Sequence, residues 1–90
     1  MSEIKRKEML KKVYQDMQDL MRHSLLFLED PLWEKLKILR DYYARNACEN
    51  LLSGKLEEAY HYAEYADYAN KLYFIELLQE TKRLALGGKK

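Results

Sequence analysis

Ninety residues are enough for one domain with one core and too few for two. Hydrophobic residues make up 48% of the chain and charged residues 34%, with a formal net charge of +1, a balance that excludes a disordered body and gives no strong field for a polyanion. One Pro and three Gly are too few breakers for a many-turned β domain and point to a small number of long helices.

The longest apolar runs, at 25–28 and 72–75, fall far short of the roughly 18 residues that suggest a membrane span. Glu3, Glu8, Lys11, Lys12 and Asp16 break up what would be the apolar stretch of a secretory signal. A lone Cys48 makes no internal bridge and reads as a small packing residue. Together these features predict a cytoplasmic protein.

Helix 1 is expected over residues 3–28, with Ser2 placed to accept the first backbone N–H groups. Leu10, Val13, Tyr14, Met17, Leu20, Met21, Ser24 and Leu28 share its inner face, opposite Lys12, Gln15, Asp16, Asp19, Arg22 and His23. Pro31 stops it, because the ring disfavours a helical conformation at Asp30 and removes a donor. The same residues start helix 2, expected over 31–52, with Asp30 as N-cap and Pro31 in the first helical position. Its inner face carries Leu32, Leu36, Leu39, Tyr43 and Ala47, with Trp33, Ala44 and Leu51 beside it. Asn46 and Asn50 lie close to that face, so they sit at the core edge or bond across helices.

Gly54 fits a left-handed helix end, and a link of 53–55 favours an antiparallel hairpin over a single bent helix. Gly54, Leu56, Ala59 and Ala66 resemble the turn between the helices of a tetratricopeptide repeat. The resemblance covers one turn, with Ala63 where such repeats favour a large aromatic. It implies a close-packed hairpin and no function.

Helix 3, expected over 55–86, has more apolar surface than one neighbour covers. One side carries Leu56, Ala59, Ala63, Ala66, Asn70, Tyr73, Leu77 and Leu84 at alternating three and four spacing until Glu80 interrupts. Tyr62, Tyr65, Ala69 and Leu72 flank it on one side; Tyr60, Phe74 and Leu78 flank it on the other. A surface helix needs an apolar stripe only somewhat wider than about 100°, so helix 3 is expected to meet two helices of its own chain or a second chain. It is also about 48 Å long against about 33 Å for helix 2, so Leu77, Leu78, Leu84 and Leu86 fall near or in an overhang that a second copy would cover. Residues 87–90 read as a frayed basic tail.

The candidate interaction surface is therefore Tyr62, Tyr65, Ala66, Tyr68, Ala69, Asn70, Leu72, Tyr73, Leu77 and Leu84. Tyr suits such a surface because its ring is covered while its hydroxyl stays wet. Tyr68, opposite the Ala face, marks a separate exposed patch. Asn70, set in an apolar stripe, either fixes register against its symmetry mate or bonds to Tyr14, Tyr43 or water.

Four groups of residues bear on other chemistries. Glu58 and His61 form the i, i+3 pair used by di-iron carboxylate bundles, but His61 faces away from the Ala stripe and the pair occurs once. His23 reads as solvated. Ser2, Ser24, Ser53 and Cys48 stand in no nucleophile elbow. Lys5, Arg6, Lys7, Lys11 and Lys12 at one end, and Lys82, Arg83, Lys89 and Lys90 at the other, are the footprint of a nucleic-acid contact, although the early lysines spread around their helix. The expectation is an all-α three-helix bundle forming one domain over 1–86. It is a non-enzymatic interaction module without a cofactor, a regulator or inhibitor acting as a homo-oligomer, with a further protein as partner and neither membrane nor specific nucleic acid. The alternatives are a nucleic-acid-associated protein using its basic ends and a dimeric metal protein.

Overall fold

The computed structural model describes residues 3–23 and 29–87. Three helices are present, α1 (Glu3–Arg22), α2 (Leu32–Leu52) and α3 (Leu56–Gly87), with no strand among the described residues. This is the expected all-α bundle, in which α2 and α3 pack closely and α1 lies over them. The expected Ser2 cap, the extension of helix 1 through Ser24 and Leu28, and tail residues 88–90 lie outside the described residues.

In α1 the buried side chains are Met9, Val13, Met17 and Leu20, spaced four, four and three apart so that they form one stripe. That stripe is rotated from the expected one. Met9 enters the core, Leu10 is half-buried and Tyr14 is exposed. A polar contact accompanies the rotation: Asp16, expected on the solvent face, is half-buried and accepts a hydrogen bond from the Tyr43 hydroxyl at 2.6 Å. The backbone N–H of His23 donates to the Asp19 carbonyl at 3.1 Å.

Pro31 occupies the N-cap position of α2 instead of the first helical position. Its ψ of 156° is extended, and its carbonyl accepts from the Glu34 and Lys35 N–H groups at 3.0 and 3.1 Å. Proline has no side-chain acceptor, and no side chain caps this helix. Glu34 in the first turn still complements the positive end of the helix dipole. Asn46 and Asn50 bond along α2, not across helices, donating to the Tyr42 and Asn46 carbonyls at 3.0 and 2.7 Å.

The hairpin forms as the sequence predicts. Gly54 has φ of 79°, the left-handed conformation that side chains with a Cβ resist. Its N–H donates to the Leu51 carbonyl at 3.1 Å, and the Lys55 N–H donates to the Asn50 carbonyl at 2.8 Å. These nested bonds satisfy carbonyls that the end of α2 would leave orphaned. The Lys55 carbonyl then accepts from the Ala59 N–H at 3.0 Å, so α3 starts immediately.

Ring contacts set the register. Tyr43 stands beside Tyr65, with centroids 5.5 Å apart, and Arg40 lies 5.1 Å over the Tyr73 ring. Eleven residues before Tyr43 is Leu32, where α2 begins; eleven after Tyr65 is Glu76. The remainder of α3 extends past the start of α2, and Leu78, Leu84 and Leu86 are exposed there. Helix α1 runs across the hairpin from one helix to the other. Lys5 pairs with Glu64 of α3 at 3.9 Å, while Leu20 lies with Ile38 and Tyr42 of α2.

The core gathers Val13, Met17, Leu20, Leu36, Leu39, Tyr43 and Ala69. It lies on the side of the hairpin that α1 covers. The molecule measures 53 × 33 × 20 Å, about two helix diameters thick. No described helix is long and apolar enough to cross a membrane.

Candidate interaction surface

Most of the aromatic residues expected to form an outward contact surface pack within the chain. Tyr43 is fully buried, and Tyr62 and Tyr65 lean against it with centroids 6.4 and 5.5 Å away. Tyr62 and Tyr65 also meet edge to face at 6.2 Å, a favourable arrangement of their ring quadrupoles. Ala69 is fully buried, and Ala66, Leu72 and Tyr73 pack half-buried against the same cluster. Thus α1 and α2 occupy the face that Tyr62, Tyr65, Ala66, Ala69, Leu72 and Tyr73 present.

Tyr68 is half-buried against this cluster and lines a cleft of about 460 Å³ with Lys5, Arg6 and Met9 of α1. Asn70 accepts from the Arg40 guanidinium at 2.9 Å, a partner on α2 30 residues away, and not from Tyr14 or Tyr43. Arg40 also bonds Asp41 at 3.1 Å, so one cation joins α2 to α3 by a hydrogen bond and a ring contact. Leu77 is half-buried and Leu84 exposed. Beside them Arg83 donates to Glu80 at 3.3 Å and holds the Glu80 carboxyl below its ordinary pKa, chiefly through hydrogen bonding.

Around Tyr43 the polar groups form a small network. Asp16 receives the Tyr43 hydroxyl and pairs with Lys12 at 3.3 Å, and the Lys12 ammonium lies 5.7 Å from the Tyr65 ring centroid. Burial, then the Asp16 hydrogen bond and its charge, raise the Tyr43 pKa far above the ordinary phenol value. The phenol therefore stays protonated and acts as a donor that joins α1 to α2.

The remaining apolar surface of α3 lies one face further round. Leu56 is 66% exposed, Tyr60 64%, Phe74 51% and Leu78 65%, and the small Ala63 among them is exposed as well. At the closed end of the hairpin, Leu56, Tyr60 and Ala63 join Ala47, Cys48 and Leu51 of α2 around an apolar groove of about 360 Å³. The Cys48 thiol is free and exposed. Tyr60, Phe74 and Leu78 are visible in the sequence as flank residues. Their exposure is not, because a helical projection shows which residues share a face and not which face a neighbouring helix takes.

Glu58 and His61 are exposed. His61 meets the Tyr60 ring edge-on at 6.5 Å, and among the described residues no three His, Cys, Asp or Glu side chains gather in a metal-holding group. At the basic start of α1, Arg6 pairs with Glu3 at 3.8 Å, Lys5 with Glu64 at 3.9 Å and Lys12 with Asp16 at 3.3 Å. No protein-family model, curated protein or solved structure matches the chain.

Proposed function

We propose that this chain is a non-enzymatic, cytoplasmic protein-protein interaction module that acts as a homo-oligomer and regulates or inhibits a further protein. The carrying observation is uncovered surface. Leu56, Tyr60, Phe74 and Leu78 are each at least half exposed, and apolar side chains gathered on one exposed face mark an interaction site. Large apolar side chains stand in that surface on α3. An exposed free thiol suits a compartment in which thiols stay reduced.

Sedimentation equilibrium at micromolar concentration tests this directly. A mass at least twice that of one chain is expected, together with a urea midpoint that rises with protein concentration, as mass action requires of an associating fold. A monomer whose midpoint ignores concentration overturns the reading.

A further inference from the structure

We propose that a second copy of this chain docks on the α3 stripe of Leu56, Tyr60, Ala63, Phe74 and Leu78, antiparallel to it, about a two-fold axis between Asp67 and Lys71. This deepens the self-association reading and rests on it.

The stripe is continuous by geometry. Leu56, Tyr60, Ala63, Asp67, Lys71, Phe74 and Leu78 recur at steps of three or four and share about 80° of the circumference. The four large apolar members are each at least half exposed, while Asp67 and Lys71 border the cleft beside Lys5 and Arg6 of α1 and Leu56 and Tyr60 border the groove beside Cys48 and Leu51 of α2. On the α2 side, the exposed Leu51 and Ala44 continue it. On the α1 side, Lys5 and Arg6 are paired with Glu64 and Glu3.

Charge selects both the occupant and its direction. Asp67 and Lys71, one turn apart and each 66% exposed, pair with each other at 3.3 Å in the middle of the stripe. A parallel second copy would set Asp67 against Asp67 and Lys71 against Lys71. An antiparallel copy turned about the midpoint sets each Asp67 against the second copy's Lys71, so the patch complements itself. The same operation places Tyr60 opposite the second copy's Leu78, and the small Ala63 level with the turn that carries Phe74. Apolar groups at the closed end of one hairpin then cover apolar groups at the open end of the other.

The register also positions Cys48. Tyr43 lies beside Tyr65, so Cys48 is level with Tyr60. In the antiparallel arrangement the two Cys48 thiols stand about 27 Å apart along the helix axes, and in a parallel one they share a level.

The test combines sedimentation equilibrium with thiol cross-linking, using circular dichroism to verify that each variant remains helical. Tyr60→Glu with Leu78→Glu changes only exposed positions and is expected to give a helical monomer. Asp67→Lys or Lys71→Asp alone is expected to weaken the dimer about tenfold or more, and the double exchange to restore it. In a Cys48→Ala background, Asp67→Cys with Lys71→Cys is expected to form a covalent dimer under mild oxidation, whereas the natural chain with Cys48 alone does not. A monomeric natural chain overturns self-association as a whole. A dimer indifferent to Tyr60→Glu with Leu78→Glu overturns this surface and leaves self-association standing. Failure of the double exchange to rescue, or a ready Cys48 disulfide dimer, overturns the antiparallel arrangement.

Discussion

The Tyr43 hydroxyl donates to Asp16 Oδ2 at 2.6 Å, and this bond ties α1 to α2. Tyr43 is fully buried, so its hydroxyl needs a partner, and a charged acceptor gives the stronger kind of hydrogen bond. Asp16 answers that need while keeping its bridge to Lys12. Met9, Val13, Met17 and Leu20 are buried on the same side of α1.

Tyr43→Phe removes the donor without changing the packed ring. A loss of about 1–2 kcal/mol is expected, read as a lower urea midpoint with unchanged helix content. A variant as stable as the natural chain would show that the bond contributes nothing net.

The same tyrosine sets a pH dependence. Its folded-state pKa lies above the unfolded value of about 10, so the folded state binds the proton more tightly. That contribution is fully present below about pH 10 and is lost as pH rises beyond it, because the unfolded chain gives up the proton first. Urea unfolding at pH 8 and at pH 11 should show a fall in stability that is smaller in Tyr43→Phe.

Gly54→Ala tests the hairpin turn. Nothing lies within 4 Å of an added Cβ at this site, so any penalty comes from holding φ near 79°. A loss of about 1–2 kcal/mol is expected, with a smaller loss for Gly54→Asn, since Asn tolerates this conformation better. Equal effects would place the penalty elsewhere than in the backbone.

Leu39→Ala and Leu52→Ala separate the core from the surface. Leu39 is fully buried and Leu52 is exposed. The first is expected to lower stability by about 2–5 kcal/mol and the second by less than about 0.5 kcal/mol. Chemical denaturation of both variants checks this, and comparable losses would mean that Leu52 is covered in the assembled protein.

Nucleic-acid binding is expected to be weak and strongly salt-dependent. The chain has a formal net charge of only +1, and Lys5, Arg6 and Lys12 each have an acidic neighbour, which weakens the field available to displace counterions. Mobility shifts at low and near-physiological salt check this. Sub-micromolar affinity at the higher salt, lost in a Lys5→Ala, Arg6→Ala, Lys7→Ala variant, would favour a nucleic-acid role.

The sequence by itself determined what local physics can decide. Pro31 and Gly54 divide the chain because one lacks an N–H and the other accepts positive φ, and the three-four spacing of Leu36, Leu39 and Tyr43 names the buried side of α2. Only tertiary structure decided which faces of α1 and α3 are used. Apolar residues surround so much of α3 that its periodicity is consistent with several orientations, and the choice among them belongs to groups distant in sequence. Tyr43 needs Asp16, Arg40 reaches Asn70 and covers Tyr73, and Tyr62 and Tyr65 close around Tyr43. Those long-range requirements turn the Tyr-rich face inward, and they leave Leu56, Tyr60, Phe74 and Leu78 exposed, because three helices in two layers cannot cover a helix on every side.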